Sequence, residues 1–235
     1  AEQLDLEKDK EIIRLACLLH DVGHGPFSHV SEEVLEKFSP NSSTGEREEI
    51  HEKITCNIIK YSKELDLRDK QREQVIDLIQ NTNQENIKKG IITGPIDADK
   101  QDYLLRDSYY CGVKYGVFDL ERLIESLTPI DVGIENLIGV KESGVHAIEQ
   151  FVISKYYMST QVYRHKIRLV TDAMIVNGLE LGIRNDKLQF LKDIYQYQDD
   201  EKYIENFLMW DDNRLFNQIL YHTEKGLCKE IFQKL

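Results

Sequence analysis

Three histidines and an aspartate are crowded into ten residues near the N-terminus. The stretch from His20 to His29 reads H-D-V-G-H-G-P-F-S-H. The adjacent His20 and Asp21 offer an imidazole nitrogen and a carboxylate oxygen, a donor pair that suits a divalent cation. A solvated loop has no need of so many imidazoles, and an apolar core rarely accommodates them. The pattern therefore favours a functional site over a structural one.

The spacing also dictates the local backbone. Adjacent residues on a helix diverge by about 100°, so His20 and Asp21 can reach one ion only if the helix ends there. Gly23 and Gly25 follow directly and supply the conformational freedom for such an ending. We expect these two glycines also to let a substrate approach the backbone closely.

A second group of polar residues lies further along the chain. The stretch from Gly94 to Asp107 reads G-P-I-D-A-D-K-Q-D-Y-L-L-R-D. On a helix, Asp99, Tyr103 and Asp107 share one face at i, i+4 and i+8, with Lys100 beside them. Such a face could bind a metal, a phosphate and a sugar hydroxyl in turn. An exposed, salt-bridged helix face is the alternative interpretation of this stretch.

The elements that must position these residues are mainly helices. Apolar residues recur at helical spacing over about Asp9–Asp21 and again from Ile50 to Tyr61. Residues 129–143 are rich in Ile and Val and hold two glycines, which predicts a small antiparallel hairpin. Residues 145–181 return to a helical pattern. We predict an all-α fold with one β hairpin, and a single domain over residues 1–235.

Composition and charge narrow the classes of partner. The chain has 30 basic and 42 acidic residues and a formal net charge of −12, which disfavours strong nucleic-acid binding. No apolar run is long enough to span a bilayer, so no membrane association is expected. The four cysteines are scattered without a C-x-x-C pair, which favours free thiols and a cytoplasmic location.

The two motifs together resemble the HD-domain phosphohydrolases. Within that superfamily, the similarity is to the deoxynucleoside triphosphate triphosphohydrolases, and it covers most of residues 10–170. The resemblance implies an all-α HD-type fold and one divalent ion, Mn, Mg, Fe, Ni or Zn. It implies His20, Asp21 and Asp99 as metal ligands, and His24 and His29 as contacts of the triphosphate near the scissile bond.

The resemblance also implies a catalytic histidine. His51 occupies that position, with Glu32 as its acidic partner. The chemistry agrees, because a histidine near its ordinary pKa can donate a proton to a leaving alkoxide. By itself, His51 would be interpreted as structural, since it shares a helix face with Ile54 and Ile58.

Substrate contacts are implied for a further set of residues. By resemblance, Lys100 is a phosphate clamp, and Tyr103 and Asp107 are sugar contacts. Lys155 stands where the family often has arginine, and Tyr163 where a side chain lies against the nucleoside. The implied reaction converts a deoxynucleoside triphosphate (dNTP) to deoxynucleoside and inorganic triphosphate, in a homodimer or homotetramer.

One departure from the family pattern concerns the metal site. The family has a further histidine ligand on a preceding helix, in an R-x-x-H-S context, whereas the 19 residues before His20 hold no histidine. We expect the chain to be a fragment; otherwise the metal has three protein ligands plus water. Two alternatives stay open: an HD phosphohydrolase acting on another nucleotide or a phosphomonoester, and a non-catalytic nucleotide-binding module.

Overall fold

The computed structural model describes residues 4, 6–39, 50–80, 86–133 and 135–235. Its α-helices are α1 (Lys10–Leu19), α2 (His29–Phe38), α3 (Ile50–Tyr61), α4 (Asp69–Gln80), α5 (Ile87–Ile92), α6 (Ala98–Tyr110), α7 (Leu120–Ser126), α8 (Val145–Met158), α9 (Lys166–Arg184), α10 (Gln189–Tyr195), α11 (Glu201–Phe207), α12 (Asp212–Tyr221) and α13 (Leu227–Phe232). Strands β1 (Leu127–Val132) and β2 (Glu135–Val140) form an antiparallel hairpin that pairs Leu127 with Val140. The predicted all-α fold with one small hairpin is confirmed.

The chain forms two compact units. Unit 1 contains the residues up to His20 and Arg68–His165, and unit 2 contains Asp21–Leu67 and Lys166–Leu235. Each unit therefore combines two separate stretches of chain. The single domain over residues 1–235 stays a prediction.

Unit 1 has two small apolar cores. In one, α1 packs against α4 and α5, and Ile13 and Ile87 are buried together with Leu127 of the hairpin. In the other, α6, α7 and α8 bury Leu104, Leu123 and Phe151, among others. The second core fixes one side of α6, so that its polar residues lie on the remaining surface.

Unit 2 has one larger core. Helices α2 and α13 pack against α9, and α3 packs against α11. Fully buried aliphatic side chains come from five different helices; they are Val34, Ile54, Leu179, Leu191 and Leu215. This core supports α2, α3 and residues 21–28, which we call the N-terminal turn. Together they carry His24, His29 and His51.

Local contacts define the end of α1 and the start of α6. Helix α1 ends at Leu19, and the His20 amide donates to Ala16 O in the last turn, so Asp21 lies outside the helix as the metal hypothesis requires. Helix α6 starts after Asp97, whose carboxylate caps it, and it ends at Tyr110, two residues before Gly112, which has a φ of +66°. Among the described residues, no helix has the length and apolarity needed to cross a membrane.

Candidate active site

Three imidazoles meet in unit 2. The ring of His24 stacks on that of His51, with centroids 4.4 Å apart and planes 13° from parallel. The ring of His29 stands edge-on to His24 at 4.2 Å. Because His24 and His29 come from the N-terminal turn and α2 while His51 comes from α3, the fold brings together side chains that are 27 residues apart in sequence.

Glu32 is the common carboxylate partner of two of these histidines. Its Oε1 pairs with Nδ1 of His51, and its Oε2 lies 3.7 Å from Nδ1 of His29. The neighbouring imidazoles of His29 and His51 hold the pKa of Glu32 well below its usual range. Glu32 is therefore an anion between two imidazoles.

The same carboxylate keeps His51 and His29 protonated to a higher pH than usual. Burial would lower the pKa of His51, but the hydrogen bond and negative charge of Glu32 outweigh it, so the pKa is raised. The interaction of His29 with Glu32 likewise raises the pKa of His29 against the effect of burial. Both side chains are suited to donating a proton.

His24 has the opposite character. Burial, followed by the charges of His29 and His51, lowers its pKa to about 4. Its Nε2 is buried and makes no hydrogen bond within the described part of the chain, and Oδ2 of Asp21 lies 3.8 Å away. A buried imidazole nitrogen without a hydrogen-bond partner fits a group that completes its bonding only when a ligand binds.

Gly23 has a different role from the one expected. A Cβ at this position would lie 2.1 Å from the carbonyl oxygen of His51 and 2.4 Å from the amide nitrogen of Thr55. The Gly23 amide donates to Oγ1 of Thr55 at 2.9 Å. The expectation that Gly23 admits a substrate is wrong, because α3 occupies that space; the glycine lets the His51 backbone approach the turn.

Unit 1 carries His20 and Asp99, two of the three predicted metal ligands. Nδ1 of His20 lies 2.9 Å from the carbonyl oxygen of Cys17. A carbonyl can only accept, so Nδ1 bears the proton and Nε2 carries the lone pair that a cation requires. One ligand atom of His20 and one of Asp99 lie within 4.8 Å of each other, comparable to the roughly 4.2 Å between opposite ligands of an octahedral ion.

The predicted face of α6 is also present in unit 1. The hydroxyl of Tyr163 donates to Oδ2 of Asp107 at 2.8 Å, and the rings of Tyr103 and Tyr163 meet edge-on at 5.9 Å. Burial and the nearby aspartates raise the pKa of both phenols, so they stay neutral hydrogen-bonding groups. Three predicted substrate residues therefore lie together.

The two predicted cationic contacts are placed differently. The amino group of Lys100 pairs with the buried carboxylate of Asp97, the residue that caps α6. Lys155 is exposed on α8. Their roles as phosphate contacts stay predictions.

Sequence reasoning missed the residues that hold the N-terminal turn. Phe27 and Ser28 adopt positive φ values of 66° and 49°, which residues other than glycine rarely do. Ser31 and Tyr195 donate to the Pro26 carbonyl, and Asp212 accepts from the Phe27 amide. Two of these partners lie more than 160 residues away in sequence, so no local pattern could have identified them.

Comparison with known proteins places this arrangement in a family. A model described as the HD domain matches residues 1–107, and one described as the HD associated region matches residues 118–226. The protein MJ1154 of Methanocaldococcus jannaschii is 31% identical over 91% of this chain and 43% of its own length. The deoxynucleoside triphosphate triphosphohydrolase SAMHD1 homolog of Dictyostelium discoideum is 26% identical over 84% of this chain and 38% of its own length.

A solved structure agrees with these matches. The crystal structure of a phosphohydrolase from Bacteroides thetaiotaomicron superposes with a TM-score of 0.72 and 26% identity, over 97% of this chain and 56% of that one. The chain thus spans about half the length, or less, of the proteins it matches. The chain belongs to the HD-domain phosphohydrolase superfamily.

Proposed function

We propose that this chain hydrolyses deoxynucleoside triphosphates to the deoxynucleoside and inorganic triphosphate. The observation that carries the proposal is the gathering of His24, His29 and His51 around Glu32 in unit 2. This cluster supplies a neutral imidazole and two imidazoles with raised pKa values. The similarity to a deoxynucleoside triphosphate triphosphohydrolase supports the choice of substrate.

We propose His20, Asp21 and Asp99 as ligands of a divalent cation. Two observations support the fit: Nε2 of His20 carries a lone pair, and His20 and Asp99 lie at ligand spacing within unit 1. Asp21 follows His20 directly, beyond the end of α1. When bound, such an ion polarises a phosphoryl oxygen and lowers the pKa of a bound water. One imidazole and two carboxylates suit Mn, Fe, Ni, Mg or Zn.

The reaction requires a proton donor for the leaving group. Water adds to the α-phosphorus, the bond between that phosphorus and the 5′ oxygen breaks, and the 5′ oxygen takes a proton. His51, whose pKa is raised by Glu32, is the proposed donor, and a proton from the added water restores it. His29 is the alternative donor, because Glu32 raises its pKa as well. His24 contacts the triphosphate as a neutral imidazole.

The nucleoside is assigned to the polar face of α6. Tyr163 holds one oxygen of Asp107 through a hydrogen bond, which fixes the orientation of that carboxylate for a sugar hydroxyl. Tyr103 adds an aromatic edge beside it. Lys100 and Lys155 are proposed to neutralise phosphate charge, and for Lys100 this requires exchanging its pairing with Asp97 for the substrate.

A product assay tests the proposal. The purified protein is incubated with Mn²⁺ or Mg²⁺ and each of the four deoxynucleoside triphosphates, and the products are separated by anion-exchange chromatography. We expect deoxynucleoside and inorganic triphosphate in equal amounts. Orthophosphate would instead indicate another HD phosphohydrolase activity. Nucleotide binding by calorimetry without any product would indicate a non-catalytic module.

A further inference from the structure

We infer that Tyr195, with Ser31 and Asp212, is a positioning residue for the histidine cluster and acts through the Pro26–Ser28 turn. The inference rests on the proposed function, because it assigns the turn a role in holding His24 and His29. None of the three residues contacts those imidazoles in the described structure through a hydrogen bond. Their effect is on the backbone between the two histidines.

The turn adopts a conformation that its sequence does not favour. Phe27 has a φ of 66° and Ser28 a φ of 49°, although neither is glycine. Side chains with a Cβ are crowded in this region, and such backbone persists only where surrounding contacts fix it. Strained backbone of this kind concentrates at functional sites. Two consecutive residues with positive φ therefore indicate that tertiary contacts, and not the local conformational preference of Phe27 and Ser28, determine this backbone.

Three hydrogen bonds within unit 2 hold the backbone of this turn in place. The carbonyl oxygen of Pro26 accepts from Oγ of Ser31 at 2.5 Å and from the hydroxyl of Tyr195 at 3.2 Å. The amide of Phe27 donates to Oδ1 of Asp212 at 2.8 Å. Side chains thus hold both the carbonyl and the N–H of the peptide group between Pro26 and Phe27. Removing one partner leaves that peptide group less constrained.

Tyr195 connects the turn to the buried core of unit 2. Only 1% of this residue is exposed, so its hydroxyl needs a protein acceptor, and Pro26 O provides one. The rigid ring is enclosed by the core of unit 2. Tyr195 therefore anchors the turn to the core, whereas Asp212 is exposed at the start of α12.

The position of the turn explains its effect on the cluster. His24 lies two residues before Pro26, and His29 lies two residues after Phe27. A peptide rotation between them changes the separation of the two rings, which is now 4.2 Å. Productive contact with a substrate tolerates little misplacement, since a shift of about 1 Å can cost a hundredfold in rate.

The chain offers a matched control in Tyr203. This tyrosine is also buried in the core of unit 2, and its hydroxyl also donates to a backbone carbonyl, that of Ile194 at 2.7 Å. Its acceptor belongs to α10 and not to the turn. Tyr195→Phe and Tyr203→Phe therefore each remove a hydroxyl that donates to a backbone carbonyl from the core of unit 2.

The experiment compares these variants in the full chain. We expect both to lower the urea midpoint by similar amounts, and only Tyr195→Phe to lower kcat, by about tenfold with little change in KM. Imidazole ¹H–¹³C NMR spectra at one fixed pH are recorded in parallel. We expect Tyr195→Phe to move the C2–H peaks of His24 and His29, and Tyr203→Phe to leave them in place.

The NMR measurement separates this inference from the proposed function. If the wild-type chain hydrolyses no deoxynucleotide but Tyr195→Phe still moves the two peaks, the proposed function fails and the positioning role stands. Equal effects of the two variants on peaks and kcat would overturn the positioning role.

A second pair of variants covers the case in which Tyr195→Phe fails to fold. Asp212→Ala removes the acceptor of the Phe27 amide at an exposed position, whereas Asp212→Asn retains an oxygen there. We expect Asp212→Ala to move the same peaks and lower kcat, and Asp212→Asn to restore both. Unchanged peaks in Asp212→Ala would contradict the inference.

Discussion

The two groups of candidate residues are built on opposite principles. In unit 1, Asp99, Tyr103 and Asp107 lie on one regular helix at intervals of four residues. In unit 2, the histidines depend on a turn with two positive φ values and on a helix approach that only glycine permits. The first group follows from helix periodicity. The second depends on long-range contacts, so its chemistry should be more sensitive to changes in packing.

The charge in the two groups differs as well. The α6 group combines carboxylates with neutral phenols, whereas the histidine cluster places two imidazoles with raised pKa values beside one carboxylate. We therefore expect substitutions in unit 1 to change metal binding or substrate affinity, and substitutions in unit 2 to change the rate of the chemical step.

We expect the largest loss of activity when a proposed metal ligand is replaced. His20→Ala removes the imidazole that the Cys17 carbonyl orients, and turnover should fall by on the order of a thousandfold. Metal content by plasma mass spectrometry should fall with it. His146→Ala is the control, since the side chain of His146 is 97% exposed. Full activity in His20→Ala would remove the metal from the proposed mechanism.

Glu32→Gln should have the next largest effect. It removes the negative charge that raises the pKa of His51, and we expect kcat to fall by about a hundredfold. Activity of a protonated donor is lost as pH rises through its pKa. The alkaline limb of the rate profile should therefore move to lower pH in the variant.

The neighbouring glutamate is the control for that profile. Glu33→Gln changes an exposed carboxylate on the same helix and should leave both kcat and the alkaline limb unchanged. If the limb of Glu32→Gln coincides with that of the wild type, Glu32 does not set the protonation of the donor.

Gly23→Ala tests the dependence of unit 2 on close packing. The new methyl would meet the His51 carbonyl and the Thr55 amide, and the free energy of unfolding should fall by about 1–3 kcal/mol. Gly25→Ala is the matched comparison, because its Cβ would lie 3.4 Å from Phe207, an ordinary contact distance. Urea denaturation measures both; equal losses would contradict the packing argument.

Tyr163→Phe should have the smallest effect. It removes one hydrogen bond to Asp107, and KM should rise by about fivefold while kcat changes little. Tyr109→Phe is the control, because Tyr109 is 80% exposed on α6. A large loss of kcat without a change in KM would instead give Tyr163 a part in the chemical step.

The sequence predicts these two regions to different extents. The end of α1 beside His20 and the shared helix of Asp99, Tyr103 and Asp107 follow from local patterns, and both are observed. The contact between Tyr163 and Asp107 joins residues 56 positions apart, so spacing alone cannot predict it. The role of Gly23 was predicted wrongly, because the packing of α3 against the turn is a tertiary contact.

The hydrogen bonds of the Pro26–Ser28 turn also bear on the order in which the chain is synthesised. Tyr195 and Asp212 lie 169 and 185 residues after their partners in the turn. A ribosome that has translated the chain as far as about residue 60 has made every histidine of the cluster and Ser31, but not Tyr195 or Asp212, which also hold the turn between them. Since domains fold as units, the N-terminal segment acquires its final shape only after α10 and α12 have emerged.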